Sequence, residues 1–128
     1  MENYTMFKIQ RETLGITQKQ LADEIGVGVT QISQYENGYI LSDKILEKIQ
    51  SGIISVRDRI YPERTYERIV YTLNLHTALY NVSETINDRM RFANKITRDI
   101  SYIMEYLQKE QNERERNRRQ YGGNWGRR

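Results

Sequence analysis

The segment RETLGITQKQLADEIGVGVTQISQYENG, from Arg11 to Gly38, places apolar residues at helical spacing in short runs that glycines separate. Glycine enters a left-handed backbone conformation at no steric cost, so a glycine just after such a run reads as its C-terminal stop. The first run begins upstream, near Tyr4, and ends at Leu14, with Phe7, Arg11 and Leu14 on one face and Gly15 as the stop. The second begins at Thr17, whose hydroxyl stands three residues before Gln20 as a capping box requires. Its apolar face is Leu21, Ala22 and Ile25, and Gly26 ends it. The third runs from Gly28 to Glu36, with Ile32 and Tyr35 inward and Gly38 closing it.

These spacings define an object. Ala22 is small where the second and third helices cross, and Ile25, Val27 and Ile32 fill the angle between them. The third helix then stands out as a rod about 10–12 Å wide, the size of a DNA major groove about 12 Å wide. Its outward residues are Val29, Thr30, Gln31 and Gln34, short or amide-bearing side chains suited to base edges. Gln can bond adenine in two places, and Val29 can pack on a thymine methyl. Lys19 and Lys44 are candidate phosphate neighbours; each could equally be a solvated surface charge.

Further along, a fourth helix is expected after Ser42, with Ile45, Leu46 and Ile49 inward and Gly52 ending it. Ser55 with Asp58 would cap a short fifth helix through Ile60. Between Glu63 and Tyr121 no glycine or proline occurs, so longer helices follow. One starts at Pro62 and carries Ile69, Leu73 and Leu79; Asn81 and Glu84 suggest a break, with a second helix from Val82. Leu75, Leu79, Val82, Ile86, Ala93, Ile96, Ile100, Ile103 and Leu107 form a heptad seam interrupted at Arg89, with Arg91, Lys95, Arg98, Asp99 and Glu105 on other faces. The seam is satisfied by a homodimer or by the chain folding back on itself; the dimer is the favoured reading, with Leu75, Leu79, Val82, Ile86, Ile96, Ile100, Ile103 and Leu107 as its residues.

The pattern from Arg11 to Gly38 resembles the phage-repressor and Cro type of helix-turn-helix regulators, the XRE family. The matching residues are Arg11, Gly15, Thr17-Gln18, Leu21-Ala22, Gly26-Val27, Ile32-Ser33 and Tyr35-Glu36-Asn37-Gly38, and the likeness runs from about Phe7 to Ile60. It implies a five-helix, lambda-repressor-like domain over 1–61; the residue pattern beyond it adds a helical hairpin or coiled coil over 62–119 and a flexible basic tail over 120–128, for an all-α chain. It implies double-stranded DNA as partner. Gln18 would meet a phosphate, Val29, Thr30 and Gln34 bases, Asn37 the backbone, and Lys44 the region of the minor groove. Arg11 and Glu36 match a buried ion pair. The chain departs from the pattern at Gly28, where Ser or Thr usually caps, and in lacking Lys or Arg on the third helix. The implied function is a sequence-specific transcriptional repressor of phage or mobile-element type. The alternative is a bifunctional phage effector, anti-CRISPR-like or antitoxin-like, with an autoregulatory N-terminal domain and a C-terminal region that binds a protein or ribonucleoprotein.

Composition sets bounds. There is no cysteine, which excludes disulfides, thiolate metal sites and cysteine nucleophiles. No apolar run approaches the roughly 20 residues of a membrane span, and the start lacks a signal-peptide plan, so a cytoplasmic protein is expected. No cofactor, metal site or catalytic residue is expected: His76 is the single histidine, and a packed side chain is its plainer reading. Through Pro62 there are seven Lys+Arg and eight Asp+Glu, a net of −1; the remainder has thirteen and nine, a net of +4. The proposed DNA-binding part is therefore not basic, and weak binding per monomer is expected to require a dimer. Trp125 among arginines and glycines in the tail could stack on a base or dock in a partner's pocket.

Overall fold

A computed structural model describes residues 1–126. Among them the chain forms six α-helices and no strand: α1 (Asn3–Leu14), α2 (Gln18–Ile25), α3 (Val29–Glu36), α4 (Asp43–Ile60), α5 (Tyr66–Val82) and α6 (Ile86–Gly126). The all-α reading holds, and the first three helices begin and end where the glycines and caps place them. Gly15, Gly26 and Gly38 all take positive φ, at 76°, 77° and 86°. The Thr17 hydroxyl accepts from the Gln20 N–H at 3.0 Å while the Gln20 amide accepts from the Thr17 N–H at 2.8 Å, the reciprocal box in full.

The fourth and fifth expected helices are one. α4 continues through Gly52, and Ser55 donates its hydroxyl to the Ser51 carbonyl instead of capping. The reason is tertiary. A Cβ on Gly52 would sit 2.5 Å from Cγ2 of Ile25, so glycine here lets α4 cross α2 closely; it is not a stop. The start of α5 is also shifted. Pro62 lies in the loop, and Thr65 is the cap, its hydroxyl accepting from the Arg68 N–H.

The core of the N-terminal unit gathers Phe7, Leu14, Leu21, Ala22, Ile32, Tyr35, Ile49, Ile53 and Val56, all nearly or fully buried. Phe7 and Tyr35 meet edge-on with ring centres 5.1 Å apart. The core does not stop at residue 61: Tyr71 of α5 joins it and stacks on Tyr61 at 4.9 Å. α5 thereby lies on α1 as an additional wall.

α5 and α6 form a helical hairpin. Tyr66 meets Tyr106 and His76 meets Asp99, which makes the pair antiparallel. The turn is built from Ser83 to Thr85. Ser83 is buried and its carbonyl accepts from Arg89 Nε at 3.2 Å, while Thr85 Oγ1 accepts from the Asp88 N–H at 3.1 Å. Thr85 is the cap in place of the expected Asn81–Glu84 box. Two expectations are corrected by this packing. Asp99 is buried against α5, not on an outer face. Phe92, passed over in the sequence, is fully buried. His76 is packed as expected, its Nδ1 2.5 Å from Asp99 Oδ2.

Candidate nucleic-acid interface

α3 is eight residues long, about 12 Å of helix. Its inward row, Ile32, Tyr35 and Glu36, is buried, with Ile32 at 0%. Its outward row is open: Val29 is 44% exposed, and Thr30 and Gln34 are exposed beside it. A short rod fixed along one edge and free along the other is what the local sequence builds, because β-branched Ile32 and aromatic Tyr35 fall three apart while the polar residues fill the other side.

Two devices hold the rod. Arg11 of α1 donates from Nε and Nη2 to the Glu36 carboxylate at 2.6 and 2.9 Å, and from Nη1 to the Ile16 carbonyl at 2.9 Å. The Glu36 hydrogen bond raises the Arg11 pKa above its already high ordinary value, more than its burial lowers it. The second device repairs the cap that Gly28 lacks. The Gln31 amide oxygen reaches back to accept from the Gly28 N–H at 2.9 Å, satisfying one of the donors a helix start leaves open.

The residues named from the sequence fall as follows. Val29, Thr30, Gln34 and Asn37 are exposed along α3 and its end, where the Asn37 side-chain N–H is tied to the Ser33 carbonyl. Gln31 is half-buried and its oxygen is committed to the cap, which leaves only its NH2 group to point elsewhere. Gln18 is half-buried and donates to Glu36 at 3.0 Å, so its side chain braces α2 against α3; its own backbone N–H opens α2, where an anion is favoured. Lys19 is exposed and 3.7 Å from Asp23, which offsets its charge. Lys44 is exposed and has no ion pair among the described residues.

Sequence reasoning missed two neighbours. Tyr39 and Ile40, directly beyond α3, are 65% and 98% exposed. The available signal was an apolar pair next to Gly38 with no periodic run to bury it.

The C-terminal candidates do not form one seam. Leu79 is buried within the chain and Leu75 packs against the N-terminal core, so neither faces a partner. Ile96 and Ile103 are half-buried, whereas Val82, Ile86, Ile100 and Leu107 are exposed. The hairpin turn at Ser83–Thr85 lies between Val82 and Ile86, Arg89 in the first turns of α6 donates back to it, and the seam read straight through it mixed two faces. Trp125 lies outside the residues whose side chains are described.

No group of three or more metal-ligating residues occurs among the described residues, and no helix there is long and apolar enough to cross a membrane. No curated protein and no solved structure matches the chain. Residues 7–52 match the helix-turn-helix family model, the stretch that runs from Phe7 in α1 to the Gly52 crossing in α4. Over that segment the chain is similar to a helix-turn-helix domain, a kind of domain that in general binds DNA in regulators.

Proposed function

We propose that this chain is a sequence-specific transcriptional regulator, a repressor of phage or mobile-element type, that binds double-stranded DNA as a homodimer with α3 in the major groove. One observation carries the reading: the amide and hydroxyl row of α3 is free while its apolar row is locked by the core and by Arg11. Thr30 and Gln34 read base edges, and Val29 contacts a thymine methyl. The Gln18 N–H, Asn37 and Lys44 meet phosphates, with Lys19 at the margin. Gln31 acts as the cap and adds at most an amide donor. The N-terminal half has no excess of positive charge, so two copies on adjacent half-sites supply the phosphate contacts that one copy lacks.

A gel shift on selected DNA tests this. Thr30→Ala with Gln34→Ala is expected to abolish preference for the selected sequence while weak general binding survives. Retained preference would place the reading face elsewhere.

The length of α6 favours a second reading. Tyr106 already reaches the start of α5, so the helix beyond it has no α5 beside it, and on that part Lys109, Arg114, Arg116, Arg118 and Arg119 outnumber Glu110, Glu113 and Glu115, with Arg114 paired to Glu110 at 2.6 Å. An effector that binds an acidic protein or a ribonucleoprotein there and regulates itself through the N-terminal domain has this layout.

A further inference from the structure

We infer that the open face of α6 is a self-association surface, on which a second copy of this chain lays its own α6 antiparallel about a two-fold axis at Thr97. The inference rests on the dimeric reading above and gives it a surface.

α6 has two apolar faces in different registers. Phe92, Ile96, Asp99, Ile103 and Tyr106, at steps of 4, 3, 4 and 3, turn toward α5. About a third of a turn away runs a second row: Ile86, Met90, Ala93 and Thr97, then Ile100, Met104 and Leu107. Its steps are 4, 3, 4, 3, 4 and 3 without a break, the repeat of a coiled-coil seam. Among the described residues, Ala93 of this row is half-buried and the other six are exposed. Ile86 is 72% exposed, Met104 65%, Met90 60%, and Ile100 and Leu107 46% each. An apolar stripe about 30 Å long on one helix marks an interaction site.

The stripe matches itself in reverse. Run antiparallel about Thr97, Ile86 meets Leu107, Met90 meets Met104, the small Ala93 meets the branched Ile100, and Thr97 meets its own copy. Each contact is reciprocal, residue i of one copy on j of the other and j on i, as in a two-fold isologous interface. The flank away from α5 carries Asn87, Asn94, Ser101 and Gln108, all uncharged and exposed, so two identical copies approach without like-charge repulsion. The direction follows from the next turns. The same repeat continues through Gln111 to Arg114 and Arg118, which parallel copies would stack arginine on arginine. Antiparallel copies carry these arginines past each other's α6 start, beside the hairpin turn that holds Glu84.

Sedimentation of the full chain without DNA tests the surface independently of DNA reading. A dimer at micromolar concentration is expected, and Ile100→Asp with Met104→Asp is expected to weaken association about tenfold or more while the helical circular dichroism is kept. Because the chain has no cysteine, orientation is read by oxidation: Ile86→Cys and Leu107→Cys proteins cross-link when mixed, and neither cross-links with itself. The cross-linking result does not depend on the Asp variant folding. A monomer throughout the concentration range, a dimer indifferent to the Asp pair, or self-cross-linking of Ile86→Cys would overturn the inference. Loss of sequence preference in the Thr30 and Gln34 variant leaves it untouched, since that variant tests α3 alone.

Discussion

Arg11 in α1 and Glu36 in the last turn of α3 form a bidentate ion pair, at 2.6 and 2.9 Å, with side chains 10% and 2% exposed. The pair ties the last turn of α3 to the first helix of the domain. Gln18 adds a third hydrogen bond to the same carboxylate, so one buried anion joins α1, α2 and α3. Removing either partner leaves a charge without solvent or counter-charge, the costly case for buried pairs.

Glu36→Ala is therefore expected to lower unfolding free energy by about 3–5 kcal/mol. The double variant Arg11→Met with Glu36→Leu should recover much of that loss, because no charge is stranded. Denaturant unfolding of the two single variants and the double variant measures this, and a double variant as unstable as the worse single one would contradict it.

Gly52 predicts a second effect. An alanine Cβ would press on Ile25 at 2.5 Å, closer than the helices allow without movement. Gly52→Ala is expected to destabilise by about 1–3 kcal/mol despite alanine's better helix propensity, since overpacking outweighs it. Ile25 closes α2 just before the turn into α3, so DNA affinity should fall together with melting temperature.

Tyr71 gives a test of opposite sign. Its hydroxyl is buried with no hydrogen-bond partner among the described residues, although Gln10 lies near. Burial raises its pKa above the usual tyrosine value. The folded state thus holds this proton more tightly than the unfolded chain, so stability is full below about pH 10 and falls as pH rises from there through the folded value. Tyr71→Phe is expected to be neutral or to stabilise by about 1 kcal/mol and to flatten that alkaline decline. Thermal melts from neutral to alkaline pH check both.

Acid stability depends on two carboxylates on the surface. Desolvation is the largest single influence on Asp58 and pushes it up, but the hydrogen bonds and charges of Arg57 and Arg68 together outweigh it and lower its pKa; a hydrogen bond from the Met1 ammonium lowers that of Asp88. Depressed folded values mean stability that is complete above about pH 4 and is lost as pH falls through the folded pKa values. Melts at low salt should show this decline, and Asp58→Asn should reduce its slope. An unchanged slope would remove the Arg68–Asp58 link between α4 and α5 from the account.

What could be read from the sequence was local. Thr17 and Gln20 are three residues apart, Gly15 and Gly26 each follow a finished apolar run, and Arg11 and Glu36 sit in the pattern of a known family. The cap and stop signals are each complete within one or two turns, and the Arg11–Glu36 pair, 25 residues apart, was legible only through the family pattern. Gly52 was misread because its role depends on Ile25, far away in sequence, and a glycine that stops a helix looks the same as one that lets a helix pass. The C-terminal seam was misread because a heptad count continues across a turn that Ser83, Thr85 and Arg89 build from side-chain hydrogen bonds. Once the turn is placed, Phe92 and Asp99 fall inward and Met90, Thr97 and Met104 outward. The roles of the α3 residues were legible only as chemistry: exposed amides at groove width, with the bases themselves unspecified.

The most direct measurement of the central claim is selection of bound sequences from random double-stranded DNA, run in parallel with the native chain and with Gln34→Ala. The account predicts a two-part motif for the native chain and loss of preference at one base pair in each part for the variant, a change of about 1–3 kcal/mol at that position. Identical motifs from both proteins, or no motif from the native chain, would contradict a base-reading role for the exposed row of α3.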